Sequence, residues 1–190
     1  MIHWPNESGD CYLTYSIKNL FSTKATRKEV FLLNKKMSIL MFSGDYDKAL
    51  AALILANTAK EINVDVTMFF AFWGLMLVRD PNNMSEEDKT AAEKMFASMT
   101  PKHIEDLPLS KMNYAGIGKK MLVGMMEDSD TPPLSAFMKG ALNKGVNMKA
   151  CKLSCEVMGF KEEELLKEVT IVTAEKYLVD ALESDIQLFI

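Results

Sequence analysis

Cysteine and histidine are scarce in this chain of 190 residues, which contains three cysteines and two histidines. An odd and low cysteine count argues against a disulfide framework and leaves thiol chemistry or simple burial as the uses of cysteine. Structural zinc sites need about four ligands at short spacings, whereas Cys151 and Cys155 stand in a C-x3-C spacing and the histidines are isolated. We therefore predict no metal site.

Long apolar runs are also missing. The longest, VTMFFAFWGLMLV at residues 66–78, has 13 residues, whereas a helix that crosses a bilayer needs roughly 18 to 20. The N-terminus lacks the basic and continuous apolar stretches of a secretory signal. The sequence therefore predicts a cytoplasmic protein with no membrane span.

Positive charge is not in excess, because 22 Lys and Arg stand against 26 Asp and Glu, for a net charge of −4. Without a basic patch there is no electrostatic footprint for nucleic acid, and we predict no nucleic-acid partner. The glycines at 116 and 118 follow no strand of a βαβ unit and lack a third glycine at the fingerprint distance. They predict a turn rather than a dinucleotide site, and no cofactor is expected.

Two regions differ in pattern. Residues 1–36 are polar and aperiodic, which predicts a loosely structured N-terminal extension in which Cys11 has no function. In residues 37–190, short apolar runs alternate with segments whose apolar residues have helical spacing. This region is predicted to form the folded domain.

The alternation predicts strands at residues 37–43, 65–72, 146–150 and 169–172, the second of which continues into a loop. Helices are predicted to begin at Asp47, at Ser85 through a capping box with Asp88, and to span residues 113–126, 133–143, 161–166 and 174–183. Such an order favours a three-layer α/β fold, a flavodoxin-like and mostly parallel sheet with helices on both faces.

Ligands of open parallel sheets bind beyond the carboxyl ends of the strands. The loops at residues 43–47, 72–74 and 150–155 should therefore approach one another. Asp47, Trp73 and Gly74 are candidate pocket walls in this region, although a large aromatic such as Trp73 can also anchor a subunit interface or simply pack.

Cys151 follows a predicted strand and precedes a segment whose apolar residues have helical spacing. At such a position, free N–H groups and the helix dipole stabilise a thiolate. Lys149 and Lys152 flank it and would lower the pKa of its thiol if their charges turned toward it. Cys155 is predicted to be buried as a small apolar residue.

Four segments carry a resemblance to a known family: GDYDKALAALILAN, FFAFWGL, LSKMNYAGIGKKM and, most specifically, ACKLSCEVMGFKEEEL. Over about residues 36–182 the chain resembles the DsrE/DsrF-like family, small α/β proteins implicated in sulfur trafficking. The resemblance maps the family's sulfur-carrying cysteine onto Cys151 and implies self-association. Cys155 stands where relatives usually carry methionine.

The leading hypothesis is a sulfurtransferase or sulfur carrier that holds a persulfide on Cys151 and passes it to an acceptor thiol, without a cofactor. Asp47, Trp73, Gly74, Lys152 and Cys155 are its candidate pocket residues. The expected partners are further copies of the chain and donor and acceptor proteins such as rhodanese-like or TusA-like proteins.

Two other functions stay open. The chain is alternatively a binding or scaffold protein for a nucleotide or acyl-thiol, in which the cysteine is incidental. A dithiol oxidoreductase using Cys151 and Cys155 is disfavoured, because residues four apart on a helix have Cβ atoms roughly 5 to 6 Å apart and a disulfide needs about 3.8 Å.

Overall fold

The computed structural model describes residues 34–85, 87 and 89–190, so that most of the predicted extension, including Cys11, lies outside the described residues. Five strands of the described chain form a parallel sheet in the order β4-β3-β2-β1-β5: β1 Lys36–Met41, β2 Asp65–Phe70, β3 Asn147–Cys151, β4 Val169–Val172 and β5 Ile186–Phe189.

The α-helices of the described residues are α1 Tyr46–Glu61, α2 Ala91–Met99, α3 Ile117–Asp128, α4 Leu134–Asn143, α5 Lys152–Met158 and α6 Ala174–Leu182. Short 3-10 helices occupy Phe72–Leu77, Ile104–Asp106, Tyr114–Gly116 and Glu162–Glu164. The predicted three-layer α/β fold with a flavodoxin-like parallel sheet is confirmed. In the described part of the chain, each helix is too short or too polar to cross a membrane.

The direction in which the chain winds decides which helices share a face. From β1 to β4 each new strand is added on the same side, and then β5 pairs with the other edge of β1. Because parallel crossovers are right-handed, the connections from β1 through β4 lie on one face and α6, between β4 and β5, lies on the other. Ligand crevices in such sheets open at the carboxyl edge.

The two faces are visible in β3. Met148 and Ala150 are buried on the side that carries α1 and α4, and Lys149 and Cys151 point to the side of α6, because side chains alternate along a strand. The α1 side holds most of the fully buried apolar residues, among them Ile39, Met41 and Leu53.

Two helix starts differ from the prediction. Helix α2 begins at Ala91, where Thr90 and Glu93 form the capping box, rather than after Ser85, because both positions carry the same Ser/Thr-x-x-acid pattern and sequence spacing alone does not separate them. Helix α1 has Asp45 at its N-cap, and Asp47 lies in its first turn.

Three further segments also differ. The residues after β2 form a 3-10 helix rather than a loop, and the helix predicted for residues 161–166 is only the 3-10 turn Glu162–Glu164. Helix α6 is followed by β5, a strand that was not predicted because a four-residue run is too short to show a clear period.

Candidate functional site

Cys151 lies at the carboxyl edge of the sheet, as predicted from its neighbours in sequence. It is the last residue of β3 and also the N-cap of α5, with extended backbone angles of φ −70° and ψ 117°. Its side chain makes no capping hydrogen bond to the first turn of α5. The suggested stabilisation of a thiolate by these N–H groups therefore stays a prediction.

The Cys151 side chain belongs to a cluster of buried residues between the sheet and α6. We name this group the α6 cluster; it consists of Phe69, Ala71, Cys151, Tyr177 and Ala181, with Leu40 and Val172 packed against it. The rings of Phe69 and Tyr177 stack, with centroids 4.3 Å apart and an angle of 13° between their planes. Cys151 is 7% exposed, so its thiol is nearly closed off by apolar groups.

The two lysines that flank Cys151 are paired with carboxylates. The Lys149 ammonium donates to the Asp180 carboxylate of α6, and the Lys152 ammonium lies 3.9 Å from a Glu156 carboxylate oxygen on the exposed surface of α5. Both positive charges next to the thiol are therefore compensated. Lys152, a candidate pocket residue, is exposed to solvent.

Cys155 is buried one turn further along α5. Burial raises the pKa of its thiol to about 12, and the neighbouring Cys151 and Glu156 act in the same direction. A thiol with this pKa holds almost no thiolate near neutral pH, and the thiolate is the nucleophilic form. The packing role predicted for Cys155 agrees with this environment.

The loops expected to meet do lie together at the carboxyl edge: residues 43–47 contact residues 72–74, and α5, which contains most of the third loop, packs against the 3-10 helix Phe72–Leu77. The Gly74 N–H donates to the Phe42 carbonyl at 2.9 Å, and a Cβ on Gly74 would lie 2.0 Å from the Met41 carbonyl oxygen. A Cβ on Gly44 would lie 2.9 Å from the Trp73 carbonyl oxygen. Gly74 thus makes a close backbone contact with the end of β1.

Trp73 does line a pocket. Its side chain is 47% exposed and forms, with the Phe96 ring of α2 at 5.7 Å, part of an apolar cavity of about 360 Å³. The cavity is lined by Phe72, Trp73, Ala92, Glu93, Phe96, Val157 and Met158. Helix α5 therefore connects the cavity, at its C-terminal end, to Cys151 at its start.

Cys151 itself does not line this cavity. Because the Cys151 side chain points toward α6, the structure separates the thiol from the Trp73 cavity. Trp73 also borders a second, smaller cavity of about 290 Å³ with Ser43, Gly44 and Asp45.

Asp47 is bound by hydrogen bonds to Ser110. Its carboxylate accepts hydrogen bonds from the Ser110 N–H at 2.9 Å and the Ser110 hydroxyl at 2.5 Å. Burial would raise the pKa of Asp47, but these hydrogen bonds outweigh it and hold the pKa below its ordinary value. Asp47 ties the segment around Ser110 to α1 and lines neither cavity at Trp73.

Sequence reasoning missed Tyr177, Asp180 and Phe96. Tyr177 and Ala181 do stand at the i, i+4 spacing of one helix face, which marks them as the buried side of α6. Nothing in the sequence indicates that this side covers Cys151. Within residues 34–85, 87 and 89–190, no three His, Cys, Asp or Glu side chains are grouped as a metal site requires.

Over 156 residues the chain is similar to two known proteins. It is 38% identical to Uncharacterized protein YrkE of Bacillus subtilis, covering 82% of this chain and 97% of that protein. It is 25% identical to Sulfur carrier protein DsrE2 of Allochromatium vinosum, covering 82% of this chain and 98% of that protein.

Among solved structures, the ychN protein from E. coli matches with a TM-score of 0.49 and 14% identity, over 82% of this chain and 99% of that one. A family model described as DsrE/DsrF/DrsH-like matches residues 33–189. The match includes all five strands and the segment around Cys151. The chain therefore belongs to the DsrE/DsrF/DrsH-like family.

Proposed function

We propose that the protein is a sulfur carrier that holds a persulfide on Cys151 and passes the outer sulfur atom to an acceptor thiol. The observation that carries the proposal is the position of Cys151, at the junction of β3 and α5 on the carboxyl edge of the sheet, where ligands of parallel α/β proteins bind. The relative from A. vinosum, which is named a sulfur carrier, supports the same role.

The reaction is a pair of thiolate displacements. The Cys151 thiolate attacks the outer sulfur of a donor persulfide, R–S–SH, so that a new S–S bond forms on Cys151 and R–S⁻ leaves. An acceptor thiolate then attacks the outer sulfur of the Cys151 persulfide, and the Cys151 thiolate leaves. One S–S bond breaks as each one forms, so that the steps need no redox cofactor.

The properties of Cys155 support a single reactive cysteine. Its thiol pKa of about 12 keeps it protonated and unreactive, and its place one turn along α5 makes a disulfide with Cys151 unfavourable unless the helix unwinds. Both cysteines of the described residues are free. Free thiols suit a reducing compartment, and we place the protein in the cytoplasm.

Self-association is part of the proposal. Helices α2 and α3 expose several large apolar side chains, which favours burial against a further copy of the chain; these are Met95, Met99, Ile117, Met121 and Met125. The donor and acceptor are proposed to be sulfur-transfer proteins such as rhodanese-like or TusA-like proteins.

The experiment that tests the carrier role is sulfur uptake followed by intact mass. The protein is incubated with polysulfide, and the gain of one sulfur atom is followed in wild type, Cys151→Ser and the matched control Cys155→Ser. We expect Cys151→Ser to lose the gain and Cys155→Ser to keep it. Uptake by Cys151→Ser at the wild-type rate would refute the assignment of the carrier thiol.

A second candidate function is favoured by one observation. The apolar cavity beside Trp73 is formed without Cys151, as expected for a binding or scaffold protein in which the cysteine is incidental. In that case wild type would gain no sulfur from polysulfide, and the mass experiment separates the two functions.

A further inference from the structure

Helix α6 covers the face of the sheet on which the Cys151 side chain lies. Of its nine residues, Tyr177 and Ala181 are buried against the sheet, each 7% exposed. Tyr177 stacks on Phe69, and both belong to the α6 cluster together with Cys151. A reagent that approaches the Cys151 thiol from this face meets α6 first.

An ion pair connects α6 to the strand that carries Cys151. Lys149 lies two residues before Cys151 on β3 and therefore projects from the same face. Its ammonium donates to Asp180 of α6, and their side chains are 18% and 22% exposed. Asp180 also pairs with Lys176 at 3.3 Å. The hydrogen bond from Lys149 is the largest of the effects that lower the pKa of Asp180.

The further polar contacts of α6 lie at its C-terminal end, where the Lys36 ammonium of β1 donates to the carboxylate of the C-cap residue Glu183 at 2.8 Å. A nine-residue helix is unstable by itself and depends on tertiary packing. The buried residues of α6 are Tyr177 and Ala181. The Gln187 side chain donates to the Ala181 carbonyl at 2.7 Å at the end of the helix. Elements with few buried contacts open at a lower free energy than the whole domain unfolds.

We propose that Asp180 is a positioning residue that holds α6 closed over Cys151, and that opening of α6 admits the sulfur donor to the thiol. The inference rests on the proposed function only for the role of the thiol. The cover itself is a property of α6, the α6 cluster and the Lys149–Asp180 pair. It explains how a nearly buried cysteine serves a protein donor while its persulfide stays shielded from other thiols between encounters.

The experiment measures access to one thiol at a time. The chain with Cys11→Ser and Cys155→Ser keeps only Cys151, and the chain with Cys11→Ser and Cys151→Ser keeps only Cys155. Each is treated with iodoacetamide, in which the thiolate sulfur displaces iodide, at the same near-neutral pH. No sulfur donor is present, so the result does not depend on the carrier function.

Asp180→Asn is expected to raise the alkylation rate of Cys151 by about two- to fivefold, the change in opening equilibrium that loss of a partly exposed ion pair produces. The alkylation rate of Cys155 should not change, because Cys155 lies on α5, which packs on the other face of the sheet. Asp180→Glu should restore the slow rate. Glu61→Gln, which breaks the 2.6 Å pair with Lys144 between α1 and the end of α4, is the control and should leave Cys151 unchanged.

Lys149→Met separates opening from electrostatics. Asp180→Asn also frees the Lys149 charge near the thiol, which by itself would speed the reaction. Lys149→Met removes that charge together with the ion pair. If the pair holds α6 closed, the alkylation rate of Cys151 should rise; if the Lys149 charge only activates the thiol, the rate should fall. An unchanged Cys151 rate in Asp180→Asn, a slower rate in Lys149→Met, or an equal acceleration of Cys155 would each overturn the proposal. Faster labelling together with failed sulfur uptake would keep the cover and reject only the carrier role.

Discussion

Glu164→Gln is expected to be among the most destabilising single substitutions in this protein. Glu164 is completely buried, and both of its carboxylate oxygens accept hydrogen bonds from the Lys89 ammonium at 2.6 Å. The Lys89 side chain is 3% exposed. A second cation, Arg79, is also buried, with its guanidinium 4.7 Å from the centre of the Phe160 ring.

The magnitude follows from the charges that would remain. Glutamine keeps the shape of Glu164 and removes its negative charge, so that Lys89 and Arg79 stay buried without the carboxylate that lies beside them. Burial lowers the pKa of Arg79 and Glu164 opposes that shift, so the loss of Glu164 affects both cations. Breaking a buried pair by removing one partner costs about 3 to 5 kcal/mol. In a domain of this size, about 2 to 4 °C of melting temperature is lost per kcal/mol, which gives a decrease of roughly 6 to 20 °C.

Thermal melting followed by circular dichroism measures this decrease. The double variant Glu164→Gln and Lys89→Met removes the uncompensated ammonium as well, and it should recover part of the loss. Glu61→Gln, which breaks an exposed pair, is the control and should cost no more than about 1 kcal/mol. A Glu164→Gln protein that melts as close to wild type as the Glu61→Gln control does would refute the reasoning.

Two further predictions concern Cys155 and the assembly. Because the folded state raises the Cys155 pKa to about 12 from an ordinary value of 9.0, the folded protein binds this proton more tightly than the unfolded chain. Stability should therefore fall by about 1.4 kcal/mol for each pH unit between these two values. Urea unfolding at pH values on both sides of this range should show a smaller pH dependence for Cys155→Ala than for wild type, and equal slopes would contradict the prediction. For the assembly, light scattering at micromolar concentration should give a mass above that of one chain, and a monomer mass at every concentration would reject self-association.

Much of the fold was predictable because it depends on local pattern. The run ending at Cys151 is a short β strand and the residues after it have helical spacing, and these two facts place the cysteine at a strand-to-helix junction. The alternation of such units predicted a parallel sheet. The family resemblance rested on the same segment, and the family model confirms it.

The predictions that were wrong concern local signals that occur twice or are too short. Ser85 and Thr90 both begin a capping-box pattern, and in the structure the box forms at Thr90. The strand Ile186–Phe189 has four residues, and it exists because β1 offers it a free edge for pairing. Neither the start of α2 nor the pairing of β5 with β1 can be predicted from the neighbouring residues alone.

The sequence by itself determined that Cys151 ends a strand and that Cys155 follows it by one helical turn. Only the tertiary structure decided what surrounds the thiol. The lysines beside Cys151 bind carboxylates, and Asp180, 31 residues from Lys149 in sequence, comes to it because the crossover to β5 reverses direction and brings α6 over this face. Contacts of this kind depend on how distant segments wind around the sheet, whereas a sequence pattern reports only the periodicity of one segment.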